Sequence, residues 1–439
     1  MGKGQTRTVG GETGVTNTDA NLRAKAGFGV FAFHTEGNNY GNTATTGSQK
    51  PNFMYNQKVE WNSVSSYWQY SPVKYWPNEI STTNAGGAIS ENAHGKVSFF
   101  AYAPWIASAG DDHGIIGFST NDAATDPIIT YKLPDVPTEA NSVDLLWGTR
   151  GTATYNEVIG DNAGTVGSGY NVNLTKQKTT ETVDFLFKHA LAKFGGSTAS
   201  EKGGIWIALD IDDVRSGSSF ENGQSGTAPY AWDDQTLVTV KSIKIEDAGE
   251  AEGKIYQQGK FDIATGTWLD GQFTNEFTSF DQTDNYNDAS TKLNSAIAEP
   301  STTPTYDAAS THKWTNPTPG VTATLQQIYT NRDAFYFIPT NAAMKFKITV
   351  EYVVRTYDAN LNNSASGGEG TWTKVTQKIT KTVEFPSPGF LPHHNYRLNI
   401  YLGMTTMKLT ATVAAWGDDD GATEDDVKVG VDLPLNVAP

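Results

Sequence analysis

Hydrophobic and polar residues alternate along much of the chain, in segments separated by stretches rich in Gly, Asn, Asp and Thr. In residues 344–354, an apolar side chain occupies every second position, and Lys, Thr, Glu or Val fills the positions between. Successive side chains of a strand point to opposite faces of a sheet, so a period of two residues is typical of a strand with one buried face. The pattern predicts strands in both halves of the chain.

The first half contains a series of such segments, joined by turn-forming stretches. The predicted strands are residues 27–34, 53–61, 96–105, 127–133, 143–148, 204–211 and 237–245. Residues 183–194 are ambiguous. Phe187, Leu191 and Phe194 suit one face of a helix. The alternation that begins at Val183 instead suits a strand, and the neighbouring segments favour this second interpretation.

The second half contains two predicted hairpins. The longer one joins residues 344–358 to residues 371–385, and the other joins residues 396–402 to residues 407–416. Before them, residues 271–333 are dominated by Asn, Asp, Thr, Ser and Pro, and the periodicity fades. Such a polar interval is typical of a domain boundary or a long surface excursion.

These elements predict an all-β protein with two β-sandwich domains in tandem. The predicted divisions are a polar N-terminal lead at residues 1–26, a first sandwich at residues 27–270, a second sandwich at residues 271–416, and a C-terminal extension at residues 417–439. A chain of 439 residues is long enough for two domains with separate cores.

The C-terminal extension combines an acidic tether, residues 417–426, with a C-terminal segment, residues 427–438, in which apolar and other residues alternate. Its apolar positions are Val427, Val429, Val431, Leu433, Leu435 and Val437. This strand either completes a sheet of its own chain or is donated to another chain. The ten tether residues could span about 33 Å. Pro434 lacks an N–H and is expected to interrupt a hydrogen-bonded ladder on one side.

Composition and charge narrow the classes of function. The formal charge is −16, which argues against a nucleic-acid partner because phosphates would be repelled. The absence of cysteine excludes disulfides, thiol catalysis and Cys-type metal sites. No apolar run approaches the length of a membrane span or of a signal-peptide core, so the chain resembles a trimmed form of a longer precursor.

Candidate catalytic or metal-binding residues are few, and the sequence predicts no enzyme, cofactor or metal. Residues 27–32, GFGVFA, satisfy a nucleotide-binding pattern but lie within a predicted strand. His393 and His394 are adjacent in an extended chain, so their side chains diverge. The acidic tether could supply carboxylate oxygens to Ca²⁺, but its spacing does not match a calcium-binding loop, and a solvated, self-repelling linker is favoured.

An aromatic stretch at residues 67–76 has two interpretations. Its exposed rings could form a platform for sugar rings, with Tyr67, Trp68, Tyr75 and Trp76 as the candidate residues. More commonly, such residues fill or cap the core of a sandwich.

Several short stretches, in order, resemble the fimbrillin family of Bacteroidetes surface proteins. They are FGVFAF at 28–33, KYWPNE at 74–79, VSFFAYAP at 97–104, DLLWG at 144–148, HALAKF at 189–194, VKSIKI at 240–245, TGTW at 265–268, FYFIP at 335–339, and the closing hairpin at 395–416. Each motif is short, and the order in which they occur carries the resemblance.

The resemblance implies two transthyretin-like sandwich domains and a subunit of a cell-surface pilus, or fimbria, that supports adhesion. Family members are exported as lipoproteins to the outer membrane and are cut after an Arg near the N-terminus, for which Arg7 is the candidate and Arg23 the second choice. Cutting removes a strand and leaves a groove in the N-terminal domain. The C-terminal strand of a neighbouring copy or related pilin fills that groove, so subunits polymerise head to tail.

Two questions remain open at this point. The C-terminal segment either is donated or folds onto its own domain, and the subunit could form the shaft, tip or base of a fibre. A surface glycan-binding sandwich of the outer membrane is the alternative function, with host or bacterial surface ligands as partners in either case.

Overall fold

The chain folds into antiparallel and mixed β-sheets, as a computed structural model shows. The structure describes residues 27–35, 40, 50–74, 96–110, 114–122, 125–134, 143–150, 171–172, 183, 185–194, 204–209, 236–248, 253–270, 272–276, 279–281, 297–299, 303, 325–328, 335–340, 342–363, 368–385, 389–392, 394–403, 407–415, 431–433 and 436–437. Within these ranges every regular element is a strand, which confirms the predicted all-β fold.

The strands are numbered in chain order. They are β1 (Phe28–Thr35), β2 (Met54–Asn62), β3 (Tyr67–Gln69), β4 (Lys96–Ala103), β5 (Gly114–Phe118), β6 (Ile128–Lys132), β7 (Leu146–Arg150), β8 (Phe185–His189), β9 (Ala192–Phe194), β10 (Gly204–Leu209), β11 (Thr236–Asp247), β12 (Tyr256–Asp262), β13 (Thr267–Trp268), β14 (Thr274–Glu276), β15 (Ser279–Asp281), β16 (Gln326–Gln327), β17 (Phe335–Phe337), β18 (Met344–Asn363), β19 (Gly368–Phe385), β20 (His394–Leu402), β21 (Met407–Ala415), β22 (Val431–Leu433) and β23 (Asn436–Val437).

Two sheets enclose the first core. One has the strand order β3-β2-β1-β4-β7-β8, and the other has the order β13-β12-β6-β5, with β14 also paired to β12. Aromatic side chains from both sheets meet between them: the ring centroids of Trp147 and Phe261 are 6.1 Å apart, and those of Phe31 and Phe118 are 5.8 Å apart. Aromatic rings bury large apolar areas, so these contacts contribute strongly to holding the two sheets together.

The sheet that contains β1 is buried on both faces. Phe31 and Phe33 belong to the core just described, whereas Phe28 and Val30 belong to a separate apolar cluster on the opposite face. This explains why β1 is apolar at almost every position instead of alternating, as expected for a strand covered on both sides. Gly29 is required here because a Cβ at this position would lie 2.2 Å from the Tyr102 ring.

Two further sheets enclose the second core. One has the order β16-β10-β20-β21-β22, with β9 and β17 attached, and the other has the order β15-β11-β18-β19-β23. The alternating side chains of β18 point into this core, where Phe346, Ile348 and Val350 are at most 1% exposed. The long hairpin is therefore present, and it extends further than the sequence pattern predicted.

Strand pairing crosses the predicted boundary at residue 270. Strands β9, β10 and β11, from the predicted first domain, pair with strands of the second half. Strand β12, which follows them in the chain, returns to the first pair of sheets by pairing with β6. A local pattern identifies a strand but not its partner, because pairing depends on residues far away in the chain.

The ambiguous residues 183–194 form strands β8 and β9, so the strand interpretation is confirmed. Phe185 and Phe187 face the same apolar cluster as Phe28, with ring centroids 5.8 and 5.3 Å from that residue. A shared cluster for residues two apart requires the period of a strand.

A buried carboxyl group lies at the end of β12. The Asp262 side chain is 6% exposed and accepts hydrogen bonds from the N–H groups of Ala264 at 2.8 Å and Thr265 at 3.3 Å. Burial, followed by the nearby carboxylate of Asp126, raises the pKa of Asp262 to about 6. The Tyr40 hydroxyl donates to Asp126 at 2.5 Å. A neutral Asp262 carboxyl therefore suits the folded state better than a charged one.

Replacing Asp262 with Asn tests whether the pKa of the Asp262 carboxyl group is raised in the folded state. The folded-state pKa of Asp262 lies above its ordinary value of 3.8, so the folded chain binds the extra proton between about pH 4 and 6, and this stabilisation is lost as the pH rises through about 6. Asp262→Asn should flatten the pH dependence of the unfolding free energy in that window and stabilise the chain at pH 7.5 by up to about 3 kcal/mol. Asp122→Asn, at an exposed aspartate, is the control and should leave the pH dependence intact. Urea titrations from pH 4 to 7.5 measure the effect, and an unchanged slope in Asp262→Asn would contradict it.

Candidate assembly interface

The C-terminal segment pairs with two sheets of its own chain. Strand β22 runs antiparallel to β21, with Val431 opposite Val413 and Leu433 opposite Ala411. Strand β23 runs antiparallel to β19, with Val437 opposite Val383. Without these two short strands, β21 and β19 would be the outermost strands of the two sheets that enclose the second core. The segment therefore covers one edge of each sheet.

The pairing changes from one sheet to the other between Leu433 and Asn436. The two intervening positions, 434 and 435, lie outside the described residues. Position 434 is a proline, which cannot donate a hydrogen bond to a ladder.

The strands covered by the C-terminal segment have core side chains on their inner faces. In β21, Met407, Leu409 and Ala411 are between 1% and 7% exposed, and in β19, Val383 and Phe385 are fully buried. The edge backbone beside these side chains carries N–H and C=O groups that need partners. The segment supplies such partners at residues 411–413 of β21 and at Val383 and Glu384 of β19.

Only part of the predicted donor strand lies in the described part of the chain. Val431, Leu433 and Val437 occupy paired strand positions, whereas Val427, Val429 and Leu435 fall outside it. The acidic tether and the candidate processing site Arg7 also lie outside. In the single chain, the described residues pair with their own second sandwich. Donation to another copy stays a prediction.

Of the four residues proposed as a glycan platform, one is buried, one is half-buried and two lie outside the described residues. Trp68 is 3% exposed, and its ring packs against Phe28 at 5.1 Å and Trp61 at 5.5 Å. Its face is covered by neighbouring side chains and is not open to a sugar ring. Tyr67 is half-buried, and Tyr75 and Trp76 lie outside the described residues.

The structure contains a buried ion pair, Arg355 with Glu299, that the sequence pattern does not predict. Arg355, in β18, donates two hydrogen bonds to the Glu299 carboxylate, one of them at 2.6 Å, and Thr239 donates a third. Burial alone would raise the pKa of Glu299, but the hydrogen bonds from Arg355 and Thr239 lower it. The pair fastens a short segment around Glu299 to the outer face of the sheet. It joins residues 56 apart, within a polar stretch where no periodicity signals a contact.

The described residues contain no cluster of three or more His, Asp or Glu side chains suited to a metal ion. A helix that could cross a membrane is likewise absent from the described part of the chain.

Comparisons with known proteins bear on this architecture. No family model matches the chain. The fimbrium subunit Fim1C of Phocaeicola vulgatus is 24% identical over 422 residues, which cover 92% of this chain and 86% of that protein. The crystal structure of a fimbrial protein from Bacteroides vulgatus aligns with a TM-score of 0.59 at 19% identity, covering 95% of this chain and 100% of that one. These likenesses confirm the resemblance to Bacteroidetes fimbrillins along nearly the whole chain.

An engineered disulfide tests the pairing of β23 with β19. Glu384 and Asn436 are directly opposite partners, and the chain has no other cysteine. In the monomer, Glu384→Cys with Asn436→Cys should form an intrachain disulfide, because directly opposite residues of antiparallel strands have Cβ atoms about 4.5–5.5 Å apart, and a small backbone shift brings them within the roughly 3.5–4.5 Å that a disulfide requires. Thr376→Cys with Asn436→Cys is the matched control and should remain reduced or form dimers. Mass spectrometry after mild oxidation gives the answer, and a monomer without the first disulfide would contradict the pairing.

Proposed function

We propose that this chain, with its likeness to Bacteroidetes fimbrillins, is a non-enzymatic structural subunit of a cell-surface fimbria. We further propose that it polymerises when its C-terminal segment is donated to a neighbouring copy. The observation that carries the proposal is the position of that segment. It is short, it lies at the end of the chain, and it completes the edges of two sheets without belonging to the interior of either.

The strength of the pairing supports exchange. Among the described residues, strand β22 is held by three residue pairs and β23 by two, whereas β18 and β19 share seventeen. A segment held by so few pairs can leave its own chain at far smaller cost than any central strand. The released segment can then pair with an acceptor on a second copy through backbone hydrogen bonds. Because donor and acceptor are different surfaces, repeated donation produces an open filament.

The fimbrillin resemblance supports further parts of the proposal. Export as a lipoprotein precursor and cleavage at Arg7 would expose an acceptor groove in the first sandwich. The donated alternating side chains, Val427 to Val437, would enter that groove, and the acidic tether would bridge the two copies. The fibre would stand on the outer membrane and present its subunits to host or bacterial surfaces.

A subunit locked by the disulfide between positions 384 and 436 tests donation directly. If the C-terminal segment must leave its own chain, the oxidised double-cysteine variant should fail to form filaments, and a reductant should restore filament growth to the wild-type level. Negative-stain microscopy and pelleting assays measure this, with the wild-type chain under both redox conditions as the control. Filaments of equal length from the oxidised variant would overturn the proposal.

A further inference from the structure

The outer face of the β18–β19 ladder is basic, although the chain as a whole carries 48 acidic and 32 basic residues. The register places alternate residues of the two strands on this face, away from the core. Its charged members are Lys345, Lys347, Glu351, Arg355, Lys374, Lys378 and Glu384. The two strands thus contribute five cations and two carboxylates to this face, and the Glu299 carboxylate packs on the same face beside Arg355 and Lys374.

Several of these cations already have partners. Lys345 lies 3.8 Å from Glu384, Arg355 binds Glu299, and Lys374 lies 3.6 Å from the same Glu299 carboxylate. By contrast, Lys347 and Lys378 form no ion pair within the described part of the chain, although each lies opposite a glutamate, Glu246 and Glu351 respectively, on a neighbouring strand. Their charge is available to a ligand, and it reinforces the field of the neighbouring Lys374.

Within the described residues, the same ladder has a backbone edge without a paired strand. From Thr373 to Thr380, β18 is the only described strand that pairs with β19. Val375, on this stretch, is 52% exposed. The edge continues the line of the two residue pairs that β19 makes with β23 at Val383 and Glu384. An open edge of this kind can accept an extended chain through backbone hydrogen bonds.

We propose that this basic edge, comprising Thr373–Thr380 of β19 with Lys347, binds the acidic tether of a second copy of the chain. Residues 417–426 carry six carboxylates and no cation. A chain with that density of negative charge complements the unpaired Lys347 and Lys378. The inference rests on the proposed function, since it specifies where the tether of one subunit contacts another.

Continuity with the C-terminal pairing site favours the tether over an unrelated polyanion. The C-terminal segment already pairs with the neighbouring end of β19 in the single chain, so the same strand edge can guide both parts of the extension. Attraction between opposite charges steers encounter more than it adds to final affinity. Contact with the basic edge would therefore raise the rate at which copies associate, and salt would suppress the effect.

Two full-length variants separate the two sides of the contact. The basic-edge variant carries Lys347→Glu and Lys378→Glu, neither of which breaks an ion pair among the described residues. The tether variant replaces every acid of the tether with its amide: Asp418→Asn, Asp419→Asn, Asp420→Asn, Glu424→Gln, Asp425→Asn and Asp426→Asn. The control variant carries Lys74→Glu and Lys260→Glu, a matched change of charge at two exposed lysines outside the second core, neither of which forms an ion pair among the described residues.

Sedimentation velocity at about 20 mM and about 300 mM salt compares their self-association. Each test variant alone should associate about tenfold more weakly than wild type at low salt, as expected for two reversed surface charge pairs. An equimolar mixture of the two variants should recover association, because one supplies an intact edge and the other an intact tether. The control should behave like wild type, and high salt should bring all chains to the same weak level.

The remaining outcomes overturn the inference. Equal, salt-insensitive association of all variants would place the contact elsewhere and leave strand donation standing. A mixture no better than its components would show that the tether does not act between copies. If the control variant loses association to the same extent, the effect comes from the overall charge of the chain and not from the basic edge. Binding of dextran sulfate to the basic edge, without recovery in the mixture, would identify an unrelated polyanion as the ligand. Failure of the proposed function is distinct, since it shows as filament growth by the oxidised, locked subunit.

Discussion

An antiparallel sheet that does not close on itself ends in strands with unpaired N–H and C=O groups, and this constraint governs the end of the chain. Strands β21 and β19 are such edges in the second sandwich, and both have fully or nearly fully buried side chains on their inner faces. Two short strands from the C-terminal segment cover them. The backbone chemistry that stabilises the isolated subunit is also the chemistry through which another copy could bind.

The other strands of the sheet hold the edge strand β19 firmly in place. Seventeen residue pairs bind β18 to β19, and eleven bind β11 to β18, so the sheet behind the edge is far more extensively paired than the segment that covers it. Phe346 and Phe385 stack across the ladder with ring centroids 5.4 Å apart, which anchors β19 from within. A firmly held acceptor strand and a weakly held covering strand together favour exchange without unfolding of the domain.

Much of the secondary structure could be predicted from the sequence, whereas pairing and polar contacts could not. The alternation in β18 and the two-residue spacing of Phe185 and Phe187 specify strands, because the face to which a side chain points depends on its own position in the strand. The return of β12 to the first sandwich depends on partners more than a hundred residues away. The Arg355–Glu299 pair and the burial of Trp68 likewise depend on which segments meet, and a single sequence carries no signal for that. The alternating pattern identifies the C-terminal segment as a strand. It does not show whether the strand pairs with its own chain or with another copy, because either acceptor would require the same alternation of apolar side chains.

The most direct test of the account asks whether the C-terminal strand can be supplied by a separate molecule. A chain that ends at residue 426 is mixed with a synthetic peptide of residues 427–439, with a scrambled peptide as the control, and its thermal unfolding is recorded. The account predicts that the authentic peptide alone raises the melting temperature, with a stabilisation of about 2.7 kcal/mol at a hundredfold excess over its dissociation constant. The full-length chain should gain less, since its own strand already covers both edges. An unchanged melting temperature in the shortened chain, or an equal gain with the scrambled peptide, would contradict the account.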